Sequence, residues 1–439
     1  MRFELPDGLP YGWTYRLLAT VCSRITSGGT PSRRVKEYFG GNVNWVKTQE
    51  LLDRKLVDTE EKITVSGLNN SSAKLLPENT VLLAMYGATV GKLGILEKES
   101  TCNQACCAFI CDPKQSDYRF LFYVLLGNRT NIIGLASGAA QQNLSGQQLK
   151  LVELAFPPLA LQKNIANVLA SIDDRIDHNR VLAANLEAIA RQLFKSWFVD
   201  FDPVRAKAAG EKPTSLADDI AVLFPDRFVD SEIGEVPEGW GYRSLAAVAS
   251  LNPDAWTTRK HPDSVNYIDL SNVKNGLIEI ATKYMWESAP SRARRVLRIG
   301  DTIVGTVRPG NCSFAFVDHD GLTGSTGFAV LRPTRKTYRE FLYFAATSDD
   351  AIDRLAHFAD GAAYPAVRSD VVLATEIAIP SDAVMNKFSE VTRRVIDRAS
   401  VCKREAVVLA HIRDILLPRL ISGEIRVSDA HKQIEEALG

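Results

Sequence analysis

An internal duplication limits what this chain can fold into. Pro10-Tyr11-Gly12-Trp13 recurs as Pro237-Glu238-Gly239-Trp240, a shift of 227 residues. Gly138-Ala139-Ala140 recurs as Gly361-Ala362-Ala363, and from there the shift holds at 223: Glu153, Ala155 and Pro157 fall on Glu376, Ala378 and Pro380. Small insertions in each copy explain the drift. With 439 residues and 46% hydrophobic content, the chain can bury two separate cores.

Each copy turns helical just after its proline. Ile165, Ile172, Asn179, Leu186 and Leu193 sit seven apart, as do Phe388, Val395, Cys402, Leu409 and Leu416. Subtracting 223 superimposes the two frames and puts Arg398 on Arg175. Val168, Leu182 and Ile189 stand three residues later in the first frame, and Val391 and Ile412 in the second. Heptad spacing gathers such residues into one stripe. The stripe can lie on its own domain's core, but two stripes in one frame favour mutual packing as an antiparallel seam. Asn179 in that seam would fix register at a cost in stability; otherwise it faces solvent at a break. Helices of this size are about 50–60 Å long.

These signals divide the chain into a globular domain 1–157, a helix 158–200, a linker 201–236, a second domain 237–380, a helix 381–424 and a tail 425–439. The fold class is α+β, two mixed domains in pseudo-two-fold arrangement separated by two long antiparallel coiled-coil helices. Thr80–Tyr86 and Asp301–Val307 read as strands, Tyr118–Leu126 and Tyr338–Ala346 as helices. Phe224 to Phe228 is expected to pack down within the linker.

Enzyme motifs fail on inspection. Gly87-Ala88-Thr89-Val90-Gly91-Lys92-Leu93 is one residue short of a phosphate loop and ends in Leu93, where Ser or Thr should hold magnesium. It reads as a β-turn. Asn252-Pro253-Asp254-Ala255 is not the Asn-Pro-Pro-aromatic pocket of an amino-methyltransferase. Asp200 and Asp202 lack companions, and the six histidines are scattered. Cys102, Cys106, Cys107 and Cys111 have no second paired set, so a buried strand from Ala105 to Ile110 is favoured over a metal site. No catalytic residue, no metal and no cofactor is expected in this chain. The start lacks a leader pattern and no long apolar run occurs, so a reducing cytoplasm is the expected compartment.

Polar and basic loops remain. Lys+Arg and Asp+Glu are both 52, so any affinity for nucleic acid must come from local patches. In the first copy the candidates are Thr30, Ser32, Arg33 and Arg34, then Lys47 and Thr48, then Gln141, Gln142 and Asn143. In the second they are Arg259, Lys260, Asn272, Lys274, Arg292, Arg294, Arg295, Arg308 and Tyr364. Arg and Lys neutralise phosphates or pair with guanine; Gln and Asn pair with adenine. The alternative for each is an ordinary solvated loop.

Several motifs resemble the specificity subunit of type I restriction-modification systems. They are Gly12-Trp13, Ser27-Gly28-Gly29-Thr30-Pro31, Gln141-Gln142-Asn143-Leu144 leading to Phe156-Pro157-Pro158-Leu159, and the run from Phe194-Lys195-Ser196-Trp197-Phe198 to Pro203. Phe224-Pro225-Asp226 and Leu416-Leu417-Pro418-Arg419-Leu420-Ile421-Ser422-Gly423-Glu424-Ile425 complete the set. The resemblance implies two target-recognition domains, each reading half of a bipartite double-stranded DNA site. It implies helices that set the spacer and dock two methyltransferase subunits, which bring S-adenosylmethionine. Two restriction/translocase subunits would bring ATP, magnesium and cleavage. The second copy departs from the pattern: Tyr364-Pro365-Ala366 replaces Gln-Gln-Asn, and no Gly-Gly-Thr-Pro follows its Gly-Trp. The alternative is a coiled-coil adaptor for protein partners with weak DNA binding.

Overall fold

The computed structural model describes residues 1–439 apart from 7, 137–142, 215, 280, 360–364 and 439. It divides into two compact units, residues 1–176 with 408–439 and residues 177–407. Both boundaries fall inside long helices, Leu159–Phe198 and Asp382–Ser422. Each unit is therefore built around part of both helices.

In the first unit a five-stranded sheet runs in the order Cys22–Ser27, Cys106–Cys111, Val81–Ala84, Leu93–Leu96, Arg54–Leu56. A smaller sheet orders Lys62–Ile63, Phe39–Val46 and Thr101–Cys102, the last pair parallel. The second unit repeats this plan. Ala249–Leu251, Phe328–Pro333, Thr302–Gly305 and Phe314–Phe316 follow the order of the first four strands. Its smaller sheet orders Thr282–Met285, Ser264–Ile268, Leu322–Ser325 and Ala293–Val296, again with a parallel central pair. A short antiparallel ribbon closes each domain. Thr14 lies opposite Phe156 in one and Gly241 opposite Ile379 in the other. Those two pairs differ by the same 227 and 223 that the sequence repeat shows.

Apolar strands explain the cores. Val81–Ala84 and Thr302–Gly305 are buried along their whole length, as central strands covered on both faces must be. Cys106–Cys111 forms the expected strand, with Cys106 and Cys107 fully buried. Burial pushes the Cys107 thiol up to about 12. The glycine run at residues 87–93 makes a tight turn between two paired strands.

Within the second unit the two long helices pack antiparallel. Phe194 meets Phe388 at a 6.1 Å ring separation, while Glu187, earlier on one helix, pairs with Lys403, later on the other. Ala183, Ala399 and Cys402 form a buried cluster there with Leu186 against it. In the first unit Arg413 bonds Asp173 at 2.8 Å. The second helix ends at Gly423, whose φ of +75° suits a left-handed C-terminal residue.

Ile165, Ile172, Asn179, Phe388, Cys402, Leu409 and Leu416 are buried, whereas Leu186, Leu193 and Val395 are half-buried. The companion row differs from expectation. It lies four residues after the sevens, at Leu169, Ile176, Ala183 and Ala190, and at Thr392, Ala399, Ala406 and Leu420. Of the row three residues later, Val168 is buried, Leu182 and Ile412 are half-buried, and Ile189 and Val391 are exposed. Arg175 and Arg398 are exposed too. Alanine carries little apolar surface, so the true row is faint in the sequence, and exposed Ile189 and Val391 imitate the false one.

The linker is no loose tether. Phe201, Val204, Phe224 and Val236 join the core of the second unit. Trp197 packs edge-on against Phe224 at 4.9 Å and contacts Phe388 at 5.7 Å. Residues 427–438 form a terminal helix in which Ala430 is buried.

Asn179 is 4% exposed, and its amide nitrogen has no hydrogen-bond partner. An unsatisfied buried amide costs about 1–3 kcal/mol. The variant Asn179→Leu is expected to recover that amount, raising the melting temperature by several degrees. Thermal unfolding monitored by circular dichroism checks this; an unchanged or lower melting temperature contradicts it.

Candidate nucleic-acid interface

In the first unit, loops distant in sequence meet at one end of the sheets. The buried indole of Trp45 donates to the Gly29 carbonyl at 2.9 Å, which seats the loop 27–34 on the small sheet. Gly28 and Gly29 are required by close approach: a Cβ on Gly28 would lie 2.0 Å from the Cys102 carbonyl oxygen, and one on Gly29 2.2 Å from the Ser72 backbone. Thr30 then bonds Gln104. One residue on, the Ala105 carbonyl accepts from Met85 N, and the Met85 carbonyl accepts from Leu144 N. Thr30 and Asn143 are thereby linked through short steps of backbone. Gln141 and Gln142 lie outside the described residues.

Two of the cations here are held by acids. Both terminal nitrogens of Arg33 bond the carboxylate of Glu61. The guanidinium also lies 4.4 Å from the Phe39 ring centre and 5.1 Å from that of Trp45. Lys47 bonds Glu60 at 2.9 Å and lies 3.7 Å from Glu61. Arg33 and Lys47 hold the Glu61 carboxyl below the usual carboxylate range, the Arg33 hydrogen bond being the larger cause. Lys74 donates to Thr26 at 2.6 Å. Ser32 and Arg34 are exposed, and Thr48 sits in a tight turn capped through Glu50.

The second unit arranges different chemistry on the same frame. Arg292 bonds Asp269 at 3.1 Å. Arg294 lies 4.6 Å from the Trp286 ring centre, and His261 stacks on that ring at 4.2 Å with planes 5° apart. Arg259 and Lys260 occupy an exposed turn in which Lys260 N donates to Thr257. Asn272 spends its side-chain oxygen on Asp269 N at 3.0 Å, capping a turn, while Lys274 is exposed. Arg294 and Arg295 belong to the strand Ala293–Val296, not to a loop, and Arg295 lies opposite Gly324. Its Nε is buried without a partner, and desolvation lowers its basicity. Arg308 adopts φ +48°, a left-handed conformation, at the sheet position that Gly87 fills in the first copy. Its amide bonds the Pro365 carbonyl at 2.7 Å. Val307 bridges Ala366 here as Tyr86 bridges Asn143 there. Tyr364 is outside the described residues.

Sequence reasoning missed Glu60, Glu61, Gln104, Trp286, His261 and Asp269. Each acts through a partner on another strand or loop, a pairing that no local pattern reports. The arrangement offers cations, amides and aromatic faces on loops over a rigid sheet, and no cluster of groups able to hold a metal is found among the described residues. No helix among them is long and apolar enough to cross a membrane.

The family model for the type I restriction modification DNA specificity domain matches residues 10–188. A type I restriction enzyme MjaIX specificity subunit of Methanocaldococcus jannaschii is 23% identical over 435 residues, covering 96% of this chain and 95% of the relative. The HindI specificity subunit of Haemophilus influenzae is 22% identical, over 90% of this chain and 98% of the relative. The crystal structure of a type I restriction-modification system S subunit from M. genitalium superposes with a TM-score of 0.57 at 17% identity, covering 95% of this chain and 98% of that one. That match extends the shared fold to the second copy, which the family model leaves out. Residues 10–188 thus match the type I restriction modification DNA specificity domain, and nearly the whole chain is similar to type I restriction enzyme specificity subunits.

Proposed function

We propose that this chain is the DNA sequence-recognition subunit of a type I restriction-modification complex, each domain reading one half of a bipartite target. The observation that carries this reading is a single two-sheet frame present twice with different loop chemistry. Arg33, Lys47 and Glu61 stand on one frame, and Arg292, Arg294 and Trp286 on the other. Similar frames with unequal loops suit a protein that carries two different readers. The chain itself contributes no catalysis in this reading.

The long helices then act as spacer and docking surface. A helix of 40 residues is about 60 Å long. Major-groove faces on one side of a duplex recur about every 34 Å, so helices of this size span two half-sites. Two methyltransferase subunits would dock on them and bring S-adenosylmethionine. Restriction/translocase subunits would add ATP-driven cleavage in the cytoplasm.

Three experiments test this. Mapping methylated bases in the source genome should return one split motif, which disappears when this chain is deleted; a motif that persists counts against the assignment. Inserting four residues, about one turn, into either helix should change the tolerated spacer length. A spacer unchanged by such insertions would rule out the ruler. Replacing residues 1–157 by another domain of this kind should alter one half-site alone, and alteration of both would contradict modular reading.

A further inference from the structure

Arg33 is held on one edge and one face yet remains open. Its terminal nitrogens grip both oxygens of Glu61, and its central carbon lies over the Phe39 and Trp45 rings. Trp45 is 2% exposed and tied to Gly29, so the floor beneath the guanidinium is rigid. The Arg33 side chain nevertheless keeps 56% of its surface exposed. A guanidinium carries five donors, and the grip on Glu61 engages two of them. Glu61 does not engage the other three.

The fold does not demand the acid. Trp45 N bonds the Glu61 carbonyl, which places Glu61 opposite Trp45, just before the neighbouring strand Lys62–Ile63. Trp45 pairs in parallel with Thr101, as Tyr267 does with Thr323 in the second copy. There the residue opposite Tyr267 is Thr282. The same frame thus forms with a neutral side chain at that place. An exposed ion pair also adds little stability, so fold maintenance does not account for Glu61.

We propose that Glu61 is a positioning residue for sequence reading, fixing the Arg33 guanidinium so that its free donors meet the edge of a guanine. This rests on the DNA-reading function proposed above. Arginine reads guanine by two parallel bonds to O6 and N7, and that geometry needs a planar group held at one angle. A long, freely rotating arginine would lose side-chain entropy on contact; one already gripped and stacked has lost it on folding. Held below the usual carboxylate range, Glu61 stays ionised across neutral pH and keeps its grip.

Simple electrostatics predicts the opposite sign. Glu61 is an anion, and removing an anion near DNA should tighten binding to any sequence. The test uses the full chain with its methyltransferase partner. The probes are a duplex carrying the mapped methylated motif and duplexes with each half-site scrambled in turn, all at one salt concentration. We expect Glu61→Gln to lose about tenfold or more of its preference for one half-site, with equal or tighter binding to the duplex in which that half-site is scrambled. Arg33→Ala should lose the same preference, and Glu61→Gln should cost nothing further on that background. Substituting 7-deazaguanine in that half-site should reduce wild-type preference and leave Glu61→Gln unaffected. Melting temperatures should stay at the wild-type value.

The proposal is overturned if Glu61→Gln keeps its half-site preference, if its loss persists undiminished beside Arg33→Ala, or if the affected half-site holds no guanine. Equal weakening on all duplexes with a lowered melting temperature would assign Glu61 to folding and overturn it as well. Wild-type protein that fails to distinguish intact from scrambled duplexes would instead sink the DNA-reading function, and this proposal with it.

Discussion

The antiparallel seam between the long helices is the contact on which the remaining structure depends. Neither helix can bury its apolar stripe alone, and each compact unit takes its centre from parts of both. In the second unit the seam widens into an aromatic cluster. Phe198 contacts Phe388 at 4.9 Å and Phe341 at 5.0 Å, while Trp197 reaches Phe224 and Phe388. Each such pair contributes about 0.5–1.5 kcal/mol beyond its buried area. Helix, globular domain and linker therefore meet in one core, so the domain cannot turn on the helices without unpacking it.

Polar ties give this packing a direction. Tyr123 bonds Asp173 at 2.6 Å, and Asp173 bonds Arg413. In the other unit Tyr343, at the corresponding place in its domain, bonds Glu187, which pairs with Lys403. Each time a tyrosine of the globular domain meets a carboxylate on the first long helix, and that carboxylate meets a cation on the second. Breaking a largely buried pair from one side costs about 3–5 kcal/mol because a charge is left without its partner. Apolar contacts tolerate small rotations, whereas these hydrogen bonds do not. Within each unit the ties thus fix the globular domain on the helix segments it packs against.

Much of this frame was legible in the sequence because it repeats. The shifts of 227 and 223 reappear as strand pairings, and the sevens from Ile165 and Phe388 mark buried or half-buried positions. The companion row was misread because Ala183, Ala190, Ala399 and Ala406 give no hydrophobic signal, although small side chains suit close helix approach. The candidate interface was legible only in part. Gly28-Gly29-Thr30 and Lys47 stood out as residue types, but Arg33 meets Glu61 across 28 residues and Arg292 meets Asp269 across 23. Such pairings depend on strand register, which the loops do not encode.

Those pairings give the zero net charge a physical meaning. A basic protein binds any duplex by displacing counterions, and it dwells on wrong sites as readily as on right ones. Here Arg33, Lys47 and Arg292 each face a carboxylate, so their charge is largely answered within the protein. In a DNA reader this weakens the part of binding that ignores sequence. It leaves intact the part that depends on donor geometry, because a gripped guanidinium keeps the donors that the carboxylate does not use. Specificity is a ratio of affinities, and it rises when the non-specific part falls. The acids beside the cations suit a protein built for that ratio.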